Sequence, residues 1–245
     1  MLERDYLRRG VAEFIGTFAL IFVAAGAAAF ARIEIDYAVA NGFVIAVMVS
    51  AFGFISGGHF NPAITLGFFV TRRIAPLLAV WYWIVQFGGA ALAALLLHWV
   101  LPATVENSAN LGVPALGQGI TSGPGVVIEA VLTFFLVIVV FATAVDERGA
   151  FKQIAGLAIG FAIVFDVMMG APFTGAAMNP ARAFGPQLVG DHWSHWWIWY
   201  VGPLAGGVIA ACLYEILYLR PSRPEPVGPP ETGVVEPTPG EAAAE

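Results

Sequence analysis

The side chains able to act on a small polar molecule are concentrated in two stretches, "SGGHFNPAITLG" at 56–67 and "TGAAMNPARAFGP" at 174–186. Each holds an Asn-Pro-Ala triplet, Asn61-Pro62-Ala63 and Asn179-Pro180-Ala181. An asparagine amide both donates and accepts hydrogen bonds, and Asn ahead of Pro suits a helix start. Its oxygen caps free N–H groups, while Pro occupies the first turn, where a missing N–H loses no partner. The amide nitrogen is then left to donate to a passing molecule. Arg182 adds a fixed cation, and Glu13, Glu129 and Asp166 set carboxylates inside otherwise apolar runs. This is the chemistry of hydrogen bonding and charge selection, not of bond making. The sequence offers no nucleophile paired with a base and no metal-ligand cluster at matching depth, so neither an enzyme nor a metal or cofactor site is expected. His192 and His195 are spaced like ligands but stand among Trp193, Trp196, Trp197 and Trp199, which reads as an aromatic belt at a membrane interface, as does His98 beside Trp99. Cys212, the single cysteine, reads as packing.

These residues are set in an oily chain. Of 245 residues 59% are hydrophobic and 11% charged, against roughly 45–50% and 25% in soluble domains, which marks an integral membrane protein. Crossing a hydrocarbon core of about 30 Å takes about 20 mostly apolar residues. Six such runs occur, at 10–31, 38–56, 76–101, 124–145, 152–171 and 195–219. The first is longer than the roughly 7–15-residue apolar core of a signal peptide and has no convincing cleavage site after it, so it stays as a helix. Arg4, Arg8, Arg9, Arg72, Arg73, Arg148, Lys152, Arg220 and Arg223 fall on one side of this topology and Arg32 and Arg182 on the other, which puts both termini in the cytoplasm. The expected organisation is a cytoplasmic N-terminus at 1–9, one polytopic domain over 10–220, and a Pro- and Glu-rich tail at 221–245 that reads as disordered. Much of the net charge of −6 sits in that tail and gives no sign of a nucleic-acid partner.

The chain repeats itself. "AEFIGTFALIFV" from residue 12 and "IEAVLTFFLVIV" from residue 128 both open with a buried Glu followed by Thr and Phe at matching offsets. Asn61 follows Glu13 by 48 residues (61 less 13), and Asn179 follows Glu129 by 50 (179 less 129). The copies span about 10–101 and 124–219; each holds three membrane spans, an odd number, so the second must be inverted. After each triplet comes an apolar stretch of only about ten residues, near 15 Å as a helix, or half a bilayer. The expected fold is therefore all-α, with six transmembrane helices and two re-entrant half-helices whose N-termini face each other near the midplane. Irregular backbone at that depth survives only when buried in protein or lining a water-filled cavity, so a pore is expected beside the loops.

With "SGGHFNPAITLG", "MNPARAFGP", the paired openings "AEFIGTF" and "IEAVLTF", and Gln86, Gly88 and Gly89 in "VQFGGA", the chain resembles the aquaporins, the major intrinsic protein family, over nearly its whole ordered length. The resemblance implies a homotetramer with one pore per subunit, and Arg182 at the narrowest point. It places the rest of that constriction 20 residues before Asn61 and 12 and 3 before Asn179, at Asn41, Val167 and Ala176. Water-selective members usually carry Phe and His at the first two positions, so this opening is expected to be wider and less polar. Glycerol-conducting members usually carry Asp where this chain has Ala183. Glu13 and Glu129 are expected to accept hydrogen bonds from the re-entrant loop of their own half, and His59 to be a hydrogen-bonded loop residue, not a gate. Asp166, next to Val167, is expected to line a polar cavity or to pair, with Arg182 as one conceivable partner.

Three classes compete. A passive channel for water, with small uncharged solutes as further permeants and protons and ions excluded, fits two neutral amides flanked by helix N-termini. A glycerol-type facilitator is the alternative within that class. A coupled transporter also uses broken helices and inverted repeats but needs an ion-coordinating midplane site, and an enzyme needs a reactive cluster. The expectation is a multi-pass channel of the cell membrane, surrounded by lipid, with no cofactor.

Overall fold

The computed structural model describes residues 2–30, 33–105, 110–148 and 152–220; Arg32, Arg223 and the tail at 221–245 lie outside the described residues. Eight helices account for most of them: α1 Leu2–Phe30, α2 Glu34–Ser56, α3 Pro62–Val70, α4 Pro76–Val100, α5 Ser122–Val140, α6 Ala155–Thr174, α7 Pro180–Gly190 and α8 Ile198–Tyr214. Among the described residues six helices are long and apolar enough to cross a membrane: α1, α2, α4, α5, α6 and α8, with α5 and α8 extended by π-helical turns at Phe141–Val145 and Glu215–Leu219. The protein is a multi-pass, all-helical membrane protein.

The boundaries differ from the apolar runs in instructive ways. Helix α1 begins at Leu2, not near residue 10, because its polar first turns are helical too and Asp5 pairs with Arg9 one turn on at 2.8 Å. Helix α6 runs three residues past the expected end at 171. Pro172 sits in its last turn, where a missing N–H costs one bond, and the helix stops where Gly175 turns left-handed (φ 77°) and donates its N–H to Ala171 O. Gly57 (φ 97°) closes α2 the same way, onto Gly53 O.

The two halves match element for element. Helices α1 and α4 lie against each other as α5 and α8 do, and α2 crosses α6 at the centre. The half-helices exchange partners: α3 packs on α8 of the other half, and α7 on α4. Alternating span directions send α3 and α7 from the middle of the bundle toward opposite faces. Close crossings are built from glycine. A Cβ on Gly42 would meet Gly160 O at 2.4 Å, and one on Gly160 would meet Gly42 O at 2.5 Å. Gly89 lies equally tight on Phe14 O, and its counterpart Gly206 on Ala130 O. Where lipid is as apolar as the side chains, such backbone approach is what holds helices together.

Candidate functional site

The two triplets meet. Each asparagine is the residue before its half-helix, with almost the same backbone (Asn61 φ −154°, ψ 121°; Asn179 φ −151°, ψ 111°), and each proline is the first helical residue. Asn61 Oδ1 accepts from Ala63 N at 2.8 Å; Asn179 Oδ1 accepts from Ala181 N at 2.9 Å and Arg182 N at 3.3 Å. Their nitrogens cross between halves: Asn61 Nδ2 donates to Met178 O and Asn179 Nδ2 to Phe60 O, both at 2.9 Å. Each amide therefore spends one hydrogen on the opposite loop and keeps one for the cavity it lines. The expectation that the amide nitrogens are left to donate to a passing molecule is corrected to that extent, because half of that donor capacity locks the two tips together.

The loops leading to the triplets are held in an improbable backbone. Phe60 and Met178 have φ of 48° and 53°, and Gly58 and Ala176 have φ of 64° and 46°. For residues other than glycine this region is sterically unfavourable by about 1–2 kcal/mol each. The two carboxylates hold it there. Glu13 Oε1 accepts from Ser56 Oγ at 2.7 Å and His59 N at 2.9 Å; its Oε2 accepts from Phe60 N at 2.7 Å and Gln86 Nε2 at 2.9 Å. Glu129 Oε1 accepts from Thr174 Oγ1 at 2.7 Å and Ala177 N at 2.9 Å, and Oε2 from Met178 N at 2.7 Å. Tyr82 and Trp199 then donate to the carbonyls of Ser56 and Thr174 at 2.6 and 2.9 Å. A carboxylate that accepts several N–H groups can be kept as an anion away from water.

His59 is 4% exposed. Its Nδ1 lies 3.1 Å from Thr65 Oγ1, and its ring lies against Phe68 at 4.3 Å. The Thr65 hydroxyl donates to Asn61 O at 3.1 Å and accepts from Gln86 Nε2 at 3.0 Å. With that single proton in use, the network assigns the proton of the pair to His59 Nδ1.

A narrow cavity runs along both tips, lined by Asn61, Asn179 and the loop residues 58–60 and 176–178. It reaches Val49, Val140 and Ile159 at one end and Asn41 and Arg182 at the other. The space open to the centre of a water molecule is about 30 Å³, where one water needs roughly 10–15 Å³, so the cavity has room for about two or three waters. Asn41, Ala176 and Arg182 line it; Val167 is fully buried behind them, in the apolar cluster with Ile163 and Ala176.

Arg182 is 3% exposed and is held by two bonds: Nη1 donates to Gly112 O at 2.7 Å and Nη2 to Tyr37 Oη at 2.6 Å. Asp166 is not its partner. That carboxylate is 1% exposed with both oxygens unpartnered among the described residues, so the conceivable Asp166–Arg182 pair is corrected. Tyr37 and Gly112 were missed from sequence. Tyr37 left one trace, a hydroxyl one helical turn before Asn41. Gly112 left none, since it contributes only a carbonyl, from a turn in which Asn110, Leu111 and Gly112 are all left-handed.

The sequence profile of the major intrinsic protein family matches residues 2–214. The chain is 41% identical over 230 residues to a probable TIP-type aquaporin of Medicago truncatula, covering 88% of this chain and 89% of that one. It is 40% identical over 245 aligned residues to the probable aquaporin TIP3-2 of Arabidopsis thaliana, covering 91% and 87%. The X-ray structure of the aquaglyceroporin from Plasmodium falciparum superposes with a TM-score of 0.78 at 22% identity, covering 86% of this chain and 96% of that one.

Proposed function

Because the chain belongs to the major intrinsic protein family, and is thus a passive membrane channel for water and not an enzyme, we propose that conduction and selection take place in the cavity along its two crossed asparagines. The single observation that carries this reading is that cavity running beside tips that are hydrogen-bonded to each other. Water in file gives its oxygen to the free amide hydrogen of Asn61 and then of Asn179. The facing N-termini of α3 and α7, each worth roughly half a positive charge, turn passing water oxygens inward and raise the barrier to cations and excess protons. Pro62, Ala63, Pro180 and Ala181 fix the starts of those helices. Glu13 and Glu129 hold the loops that present the backbone of 58–59 and 176–177 to the file, and His59 braces the first of them.

The constriction is formed by Asn41, Ala176 and Arg182, with Val167 behind. Ala176 is small and neither Asn41 nor Val167 brings an aromatic ring to the opening, which favours small neutral solutes as additional permeants. Arg182 repels cations and donates to the permeant. The protein works as a homotetramer in the cell membrane with both termini cytoplasmic; the Lys and Arg excess on the N-terminal side supports that orientation. The test is light scattering from proteoliposomes given an osmotic step with an impermeant sugar, then with glycerol or urea. Fast shrinkage in both, with rapid reswelling only in the second, supports the full reading. Shrinkage no faster than that of empty vesicles overturns it.

A further inference from the structure

We propose that Tyr37 is a positioning residue of the constriction, fixing the orientation of both of its polar members. Its hydroxyl accepts from Arg182 Nη2 at 2.6 Å and donates to Gly175 O at 3.2 Å. One phenolic oxygen thus ties α2 to the half-helix that carries Arg182 and to the loop that begins the second re-entrant segment. The single hydroxyl proton goes to the carbonyl and the lone pair to the guanidinium, so the donors and acceptors are consistent. The guanidinium carbon lies 5.9 Å from the centre of the Tyr37 ring, within the range of a cation–π attraction. Gly112 O takes the other terminal nitrogen. Arg182 is therefore drawn back against the wall on two sides, and the hydrogens left over are those available to a permeant.

The same residue sets Asn41. Asn41 Nδ2 donates to the Tyr37 carbonyl at 2.8 Å; the reversed amide would oppose two acceptors, so the orientation is fixed. Asn41 is left with its carbonyl oxygen for the cavity it lines. Tyr37 thus arranges a donor wall at Arg182 and an acceptor at Asn41. Its isosteric change to Phe removes only the hydroxyl, which frees Arg182 Nη2 to swing off the wall into the passage. That narrows the opening for a bulky permeant more than for water.

This inference rests on the proposed channel reading, and its test separates the two. Water and urea permeabilities are measured on proteoliposomes of the wild type, Tyr37→Phe, Arg182→Val and the double variant. The urea-to-water ratio is expected to fall at least threefold in Tyr37→Phe and to be insensitive to Tyr37→Phe when Arg182 is already Val. In ¹⁵N-arginine solid-state NMR spectra of the membrane-reconstituted protein, the Arg182 Nη signals, assigned by their loss in Arg182→Val, should shift or broaden in Tyr37→Phe. The NMR measurement decides the matter even where urea does not pass. Nη signals identical to wild type, or a change in the ratio that persists without Arg182, overturn the proposal for Tyr37. A wild type that conducts no water overturns the channel reading instead.

Discussion

Replacing Asn179 by Ala removes three interactions at once. The cap on Ala181 N and Arg182 N disappears, typically worth about 1 kcal/mol and up to about 2. The bond to Phe60 O is also lost, leaving a buried carbonyl whose desolvation costs roughly 1–3 kcal/mol. Because Phe60 lines the cavity, water can recover part of that second term, and the net loss is about 2–3 kcal/mol. For a chain of this length each kcal/mol moves the melting temperature by about 2–4 °C, so Asn179→Ala should melt roughly 5–10 °C below wild type in detergent. Asn61→Ala should lose less, since Asn61 caps one N–H and not two. The double variant should lose less than the two singles together, because the crossed bonds share the same pair of loops. Asn179→Asp is the stringent control: it keeps the capping oxygen but turns a second acceptor on the Phe60 carbonyl, so it should also fall well below wild type. A melting temperature for Asn179→Ala within about 1 °C of wild type would refute the claim that the crossed amides hold the tips together, as would wild-type stability in Asn179→Asp.

Three further outcomes follow from the packing and the charges. Gly206→Ala places a methyl 2.0 Å from Ala130 O, whereas a Cβ at Gly123 meets nothing within 4 Å; the first should cost about 3 kcal/mol or more and the second almost nothing, read by size-exclusion recovery and melting. Asp166→Asn keeps the shape of a buried carboxyl whose two oxygens find no partner among the described residues, so it should conduct water as wild type does; a loss of water permeability would instead put Asp166 in the conducting path. Outside the spans, hydrogen bonds from the Arg148 side chain and backbone hold the Asp146 carboxyl well below the usual carboxylate range. A depressed folded value stabilises above the unfolded pKa of about 3.9 and is lost as pH falls through the folded one. The melting advantage of wild type over Asp146→Asn should accordingly be level from pH 8 to about 5 and shrink below about 4; an advantage that grows on acidification would contradict this.

How much of this was legible in the sequence depended on whether a feature repeats. Glu13 and Glu129, Asn61 and Asn179, and the short stretches after them announced themselves because each exists twice at matched spacing, and matched spacing in an inverted duplication forces matched geometry. The structure extends that rule to residues the sequence left silent. Ser56 and Thr174 stand at the same offset from their asparagines and bind the same carboxylate position, and Tyr82 and Trp199 brace those two residues from equivalent helices. What stayed hidden lies where the halves differ. Gln86 shares in holding Glu13, whereas the corresponding position in the second half is Pro203, and Glu129 makes do with three bonds instead of four. Arg182 has no counterpart in the first half, so nothing in the repeat could say what holds it. Its anchors, a phenol on α2 and a carbonyl in a left-handed turn, come from segments 145 and 70 residues away in the chain. An asymmetric constriction on a symmetric scaffold needs such unrepeated supports: the duplicated residues can keep two helix tips together, and only the unduplicated ones can make the two ends of the passage different.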